Sequence, residues 1–488
     1  MSLKFLLTVS TVETIFFVPT VPTVLTGGLI ASTNAGLQVN SKPSANLNPI
    51  RVGLLGMGTV GSGTFNVLKR NQEEIRRRAG RGIEITMVAV RNEERARSLR
   101  AVAPSLEVVA DPFEVVLHPD IDIVVEVIGG TTVALELVMQ AIAQGKHVVT
   151  ANKALLANHG NEIFAAAQAR GVMVAFEGAV AVSIPIIKAL REGLSANRIE
   201  WVAGIINGTT NFILSEMRDK GSSFADVLKE AQRLGYAEAD PSFDIEGFDA
   251  AHKATILSAI AFGTPVQFDK AYVEGIGKLE AADINYAYQL GYRIKLLGVT
   301  KRTVQGIELR VHPTLIPLKR LLANVEGSMN GIMVKSDAAG ITLYYGAGAG
   351  SEQTASAVIA DLVDVTRLHT ADPLQRVPPL AFQPGEMSEL PIVPMSEVVT
   401  SYYLRLKVAD KAGVLSNVTG ILAVLDISID AVLQREADDV GGEGATQTDL
   451  IILTHDCIEA RMNDALAQMQ ALPTVLAPII RIRKEELA

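Results

Sequence analysis

From residue 50 onward, apolar positions fall into two alternating patterns. Ile50–Leu55, Ile83–Val90, Asp122–Ile128, His147–Thr150 and Val172–Phe176 are short and largely apolar, the pattern of buried strands. Helical periodicity separates them, in an amphipathic stretch from about Val60 to Arg78 and another over Ala134–Gln144. Strands alternating with helices predict a parallel sheet flanked by helices. Ile199–Ile206 reads as a further strand, followed by a polar turn over 207–211 and a helix over Phe212–Arg218. Between 254 and about 340 helices and strands mix, and Ile294–Val299 and Ile307–Val311 alternate like sheet strands. A strongly apolar helix covers Thr354–Val365.

The last part of the chain has its own pattern. Tyr402–Val408 alternates as a strand, and Val414, Leu415, Val418, Ile421, Leu422 and Leu425 mark one face of a helix. Ile427, Ile429, Ala431 and Leu433 alternate again. Leu450–Leu453 is a strand, Ile458–Leu472 a helix, and Ile479–Ile482 a last strand. This β-α-β-β-α-β order is that of a ferredoxin-like module, with Gly441, Gly442 and Gly444 forming a flexible loop between its middle strands. Ahead of it, Pro373, Pro378, Pro379, Pro384, Pro391 and Pro394 mark 372–394 as a linker.

Composition narrows the class. A chain of 488 residues, 48% apolar and 20% charged, holds roughly two to four globular domains. A net charge of −9 leaves no footprint for nucleic acid. The single Cys457 excludes an intrachain disulfide framework and fits a reducing, cytoplasmic setting. No two of the seven histidines have metal-ligand spacing, so no zinc site is expected. Residues 1–48 carry only Lys4, Glu13 and Lys42 as charges, and Glu13, Pro19, Pro22, Gly27 and Gly28 interrupt the apolar run. They fall short of the ~18 apolar residues of a spanning helix and make a poor secretory signal. The expectation is a disordered leader, or a start codon placed too far upstream, and no membrane segment.

Candidate chemistry clusters at strand ends. Gly56-Met57-Gly58-Thr59-Val60-Gly61 lies between the first strand and the first helix, the context that makes a GxGxxG match a dinucleotide site. The glycines allow a tight turn and close approach of a pyrophosphate to Thr59, Val60 and the free N–H groups of the helix. At the end of the second strand stands Arg91 rather than an acid, which suits the 2′-phosphate of NADP, so NADP is accepted or preferred over NAD; Glu93 and Glu94 lie close by. The next strand ends bring Gly129, Gly130 and Thr131, then Lys153, to the carboxyl edge of the sheet. Glu177, followed by a loop of small residues to Pro185, has the chemistry to hold a monovalent cation through Glu177 and backbone carbonyls. A second glycine loop, 346–350, opens the helix over Thr354–Val365 and returns the chain to the cofactor domain at Gly350.

The densest constellation is Ala231–Lys253. Glu238, Asp240, Asp244, Glu246 and Asp249 precede one lysine, punctuated by Gly235, Pro241 and Gly247. Asp249 and Lys253 are four apart, on one face of a helix. Acids that grip an ammonium group, with a lysine beside them, suit chemistry on an amino acid. A solvated charged loop ahead of an ordinary helix has the same composition.

The spacing of Ala231, Gly235-Tyr236, Asp240-Pro241, Asp244-Ile245, Gly247, Asp249 and Lys253 resembles the signature of homoserine dehydrogenase. Segments 50–63, 148–157 and 204–214 are similar to other blocks of that family, and the tail resembles the ACT domain that follows the catalytic part in many bacterial members. The resemblance covers nearly all of the chain after residue 48. It implies interconversion of L-homoserine and L-aspartate 4-semialdehyde with NAD(P), in threonine, methionine and isoleucine synthesis. It implies Lys253 as acid/base lysine, with Lys153 at the cofactor and substrate. Glu238, Asp244, Asp249 and Tyr236 line the substrate site, and Gly235 and Gly350 lie at the cofactor. Glu177 with the backbone of Val180, Val182 and Ile184 matches a sodium site, although Val182-Ser183 stands where the family's loop is richer in glycine. A homodimer or homotetramer and an L-threonine effector bound near 410–415 are also implied.

The architecture expected is therefore α/β. A Rossmann-type NAD(P)-binding domain spans 49–180 and is completed by about 341–370. An α+β substrate and dimerisation domain follows over 181–340, then the linker 371–398 and a ferredoxin-like ACT domain over 399–488. Aspartate-semialdehyde dehydrogenase needs a cysteine nucleophile, and Cys457 lies in the tail. The remaining alternative is an amino-acid-binding regulatory protein with an inactive Rossmann domain. Asp249 beside Lys253 is expected to favour the charged lysine.

Overall fold

The computed structural model describes residues 47–434 and 447–488; the leader 1–46 and the glycine loop at Gly441, Gly442 and Gly444 lie outside the described residues. Six strands form a first sheet: β1 (Ile50–Leu55), β2 (Ile83–Ala89), β3 (Glu107–Val109), β4 (Ile123–Glu126), β5 (His147–Thr150) and β6 (Val174–Ala175). Their order is β3-β2-β1-β4-β5-β6, all parallel. The order reverses between β1 and β4, and the crevice at their carboxyl ends is where such a sheet takes a ligand. The helical stretch read over 60–78 divides at Asn71 into Thr59–Arg70 and Gln72–Ala79. The short edge strand β3 carries too few residues to show a periodicity in the sequence.

The second sheet is larger. Its strands are β7 (Ile199–Ile205), β8 (Tyr272–Val273), β9 (Tyr292–Arg302), β10 (Ile307–Pro317), β11 (Met329–Ser336), β12 (Gly340–Ala347), β13 (Val399–Ala409), β14 (Ile429–Gln434), β15 (Gln447–Thr454), β16 (Cys457–Ile458) and β17 (Ile480–Lys484). The path runs β12-β11-β7-β9-β10-β17-β13-β15-β14. Within it, β17-β13-β15-β14 with helices Val414–Val424 and Glu459–Gln470 form the ferredoxin-like module, antiparallel throughout.

The module is joined to the second sheet by more than the linker. Its β17 pairs in parallel with β10, Thr314 opposite Arg483 and Leu315 opposite Lys484, so one sheet runs through both parts. The proline-rich stretch is an ordered strap: Ile307 N–H donates to Pro391 O, Val393 N–H donates to Ile307 O, and Phe382 packs on Gly263. Strand β10 is buried at every position, although alternation of the kind seen in Ile307–Val311 ordinarily marks a strand with one wet face. Its polar residues Glu308, Arg310 and His312 are covered by the module's C-terminal segment, where Glu485 accepts from Arg310 at 2.7 Å. No helix among the described residues is long and apolar enough to cross a membrane.

Helix Ser351–Leu368 returns the chain to the first sheet, as the glycine loop predicts. Ser351 Oγ donates to Thr59 O at 2.6 Å, and Ser351 backbone lies where a side chain at Gly63 would have to go.

Candidate active site

The segment Ala231–Lys253 leads into helix Phe248–Phe262, which is buried at every position from Asp249 to Phe262. Gly247 caps it with φ +90°, a left-handed conformation that favours glycine. Asp249 then stands in the first turn and Lys253 one turn on.

Asp249 is the hub. Lys253 Nζ donates to its Oδ2 at 2.8 Å, Lys153 Nζ lies 2.8 Å from Oδ1, and Asn207 Nδ2 donates to Oδ2 at 2.8 Å. Asn207 Nδ2 also reaches Asp244 Oδ1 at 2.7 Å, and Lys253 also donates to Ile206 O at 2.8 Å. Two strand ends, β5 through Lys153 and β7 through Ile206 and Asn207, thus meet the helix at one carboxylate. Burial alone would raise the Asp249 pKa, but Lys253 and Lys153 hold it well below the usual carboxylate range. Burial raises Asp244, and the charge of Asp249 adds to it.

The two lysines diverge. Burial pulls Lys153 down, but Asp249, Asp244 and Glu238 outweigh it and its pKa stands above the ordinary value. Burial depresses Lys253, Asp249 pulls it back, and the neighbouring Lys153 charge leaves it below the ordinary value. Asp249 does favour the charged form of Lys253, as expected, but the net shift is downward. A second cation on the same carboxylate and full burial together outweigh the single attraction.

The other acids lie nearer solvent. Glu238 is exposed on the lip, Tyr236 is 46% exposed with its ring 4.6 Å from Phe212, and Thr209 Oγ1 donates to Tyr236 O at 2.8 Å. Gly235 sits in the same lip with φ +78°. The sequence does not mark Asn207 as a bracket for two acids and shows it only as part of a polar turn. Its position at the end of β7 was the available signal. Phe243 and His252 were also missed. Lys153 Nζ lies 6.0 Å from the Phe243 ring, and His252, its pKa pushed down to about 4 by burial, packs edge-on against Phe243 and Phe268.

At the crevice, a side chain at Gly61 would collide with the Gly56 carbonyl, whereas one at Gly58 would meet nothing within 4 Å. That open space over an uncapped helix start fits a pyrophosphate against Thr59 and Val60. Arg91 is exposed at the end of β2, and Arg95, unremarked in the sequence, reaches Ser62 Oγ at 2.6 Å beside the phosphate loop. Gly129 and Gly130 have φ near +73° (+72° and +74°), and Thr131 caps helix Thr132–Ala143. Buried Glu126, another residue without a sequence signal, shapes this loop. It accepts from Ile128 N–H, Gly129 N–H and Thr150 Oγ1. Gly350, with φ +134°, opens the returning helix at the same crevice.

Glu177 is buried, and its carboxylate accepts Ile187 and Lys188 N–H at 2.9 Å each, so its side chain caps the next helical turn. The cation chemistry left to this loop is that of backbone carbonyls. Val182 stands at φ +55°, rare for a β-branched residue, and Ser183 ties the loop to Ala347 O. Val180 and Ile184 flank it, both buried. Asp361 accepts the Glu177 N–H at 2.8 Å, and burial beside Glu177 raises its pKa to about 8.

The chain matches three family models: homoserine dehydrogenase over 185–363, the NAD-binding domain of homoserine dehydrogenase over 56–177 and the ACT domain over 402–474. It is 60% identical over 441 residues to homoserine dehydrogenase of Pseudomonas aeruginosa, covering 90% of this chain and 100% of that one. The chain belongs to the homoserine dehydrogenase family. A relative in Neisseria gonorrhoeae is 57% identical with the same coverage. Among solved structures, a homoserine dehydrogenase from Thiobacillus denitrificans superposes with a TM-score of 0.85 at 65% identity, covering 90% of this chain and 99% of that one. A hyperthermophilic archaeal homoserine dehydrogenase in complex with NADPH gives a TM-score of 0.56 at 26% identity, covering 66% and 99%.

Proposed function

We propose that this protein interconverts L-homoserine and L-aspartate 4-semialdehyde, with Lys253 handling the proton. The observation that carries this reading is Asp249 gripped at 2.8 Å by both Lys253 and Lys153, beside the crevice of the cofactor sheet. When bound, the nicotinamide supplies or accepts the hydride. Lys253 gives its proton to the carbonyl oxygen as charge develops there, and takes a proton from the hydroxyl in the reverse direction. Its depressed pKa suits both tasks. Lys153, held charged, orients the substrate beside Asp249. Asp244 and Glu238 receive the substrate ammonium.

Arg91 and Arg95 favour NADP over NAD, since both are cations at the edge where a 2′-phosphate would lie; the archaeal relative's NADPH complex supports this. A sodium ion on the carbonyls of Glu177, Val180, Val182 and Ile184 is part of the proposal, supported by the left-handed Val182. L-threonine is the effector proposed for the tail, at the hollow formed by Asp410, Lys411, Gly413, Leu415 and Gln434. Assembly is as a homodimer or homotetramer. The test is oxidation of NADPH and of NADH with L-aspartate 4-semialdehyde, with and without threonine. Steady turnover is expected with NADPH, falling when threonine is added. No turnover with either cofactor would overturn the assignment in favour of a binding protein.

A further inference from the structure

The C-terminal module reaches the substrate acids through one continuous chain of contacts. Buried Arg483 on β17 donates from Nη1 to Glu274 Oε2 at 2.8 Å, and from Nη2 to Tyr272 Oη at 3.0 Å. Tyr272 Oη in turn donates to the same Glu274 oxygen at 2.8 Å, and Arg481 adds a contact at 3.4 Å. On its far side Arg483 is forked onto Glu459, which also accepts from Tyr402 Oη at 2.7 Å. Glu274 is therefore fixed by three donors, two of which belong to the module.

The next residue bears on the site. A side chain at Gly275 would collide with the Ile245 carbonyl and with Glu246 Cα, so its backbone lies flat against that turn. Ile276 N–H donates to Ile245 O at 2.9 Å, and Gly247 packs against Val273, Val311 and the Glu274 carbonyl. The turn over 245–247 separates Asp244 from Asp249, the two acids bracketed by Asn207. Glu246 in this turn is exposed, Asp244 and Ile245 are half-buried, and Gly247 is buried against the 273–275 segment.

We infer that Arg483 and Glu274 are positioning residues for the substrate acids, setting the turn 245–247 through the backbone of Gly275. This rests on the proposed function for its kinetic consequence but not for its structural one. A second buried contact between the two parts provides a contrast: Arg405 Nε and Nη2 clasp Asp283 at 2.6 and 3.0 Å, on helix Ala281–Gln289, which among the described residues makes no backbone hydrogen bond to 245–247. Coupling carried by a defined packed route should discriminate between these two contacts, whereas general loosening of the junction should not.

The test compares Glu274→Gln with Arg405→Gln in the full chain. Glu274→Gln is expected to raise the KM for L-aspartate 4-semialdehyde about tenfold while leaving the KM for NADPH within twofold. Backbone hydrogen exchange at Glu246 and Gly247 should quicken by a similar factor. Arg405→Gln is expected to lower Tm without either change. Tyr272→Phe, which keeps the ring and removes one donor, should move KM the same way by two- to threefold and serves if Glu274→Gln does not fold. Equal KM for the substrate in all variants, or quickened exchange at 246–247 in Arg405→Gln as well, would overturn the route. Hydrogen exchange tests it even if the wild type turns over neither cofactor, an outcome that would refute the proposed function instead.

Discussion

Two buried clusters in this molecule pair carboxylates with cations, and they use different cations. At the active site Asp249 faces two lysines and an asparagine; at the junction with the C-terminal module Glu459, Glu274 and Asp283 face Arg483, Arg481 and Arg405. Lysine is a compact charge whose pKa yields to burial, so the pair Lys253 and Lys153 divides into one depressed and one raised group. Arginine stays charged under the same burial and meets carboxylates with a planar fork. In the proposed reaction the site moves a proton and the junction does not. Side-chain chemistry, rather than the presence of an ion pair, separates the two.

The sharpest way to break the comparison is to remove the proton carrier. Lys253→Ala is expected to lower kcat by roughly 10²–10⁴ and to flatten the pH profile. In the wild type, reduction of the aldehyde should fall about tenfold per pH unit above the Lys253 pKa, starting below the ordinary lysine value of about 10.4. Oxidation should rise over the same interval, because it needs the neutral amine. Activity of the variant near wild type would remove Lys253 from the mechanism.

Removing an arginine should act on stability instead. Arg483→Met leaves buried Glu459 with fewer partners, and breaking such a pair costs about 3–5 kcal/mol. Denaturant unfolding would show it. A wild-type midpoint would mean that the junction is dispensable.

The smallest effect tests a buried acid that belongs to neither pattern. Asp361 has a pKa raised to about 8 beside Glu177, against about 3.9 in an unfolded chain. Between those values the folded state keeps a proton that the unfolded chain has lost, so its contribution falls as pH rises and is gone above about 8. Asp361→Asn, which retains an oxygen for the Glu177 N–H, should flatten Tm between pH 5 and 8 and raise it at pH 8. An unchanged slope would exclude Asp361 as its source.

Much of the site could be read in the sequence because its parts sit at predictable places. Gly56 to Gly61 follows a strand and precedes a helix, Lys153 stands at a strand end, and Asp249 and Lys253 share one helical face. Arg95 and Glu126 could not be read, and Asn207 only by its place in a polar turn, because each acts on residues brought near by folding: Asn207 on Asp249 across 42 positions, Arg95 on Ser62 across 33, Glu126 on Thr150 across 24. The net direction of the Lys253 shift could not be read for the same reason, since Lys153 lies a hundred residues away in sequence and its charge is felt only in the fold. The order of the linker could not be read, because prolines show where helices and strands stop, not what the chain packs on.

Local pattern by itself determined the parallel sheet, the ferredoxin-like order of the tail and the i, i+4 pairing of Asp249 with Lys253, since each depends on neighbours in the chain. Tertiary structure alone decided that the tail's last strand joins the catalytic sheet, that the polar face of β10 is dry, and that Lys253 is the lysine with the depressed pKa. Strand pairing, burial and charge act through space, and no periodicity records them.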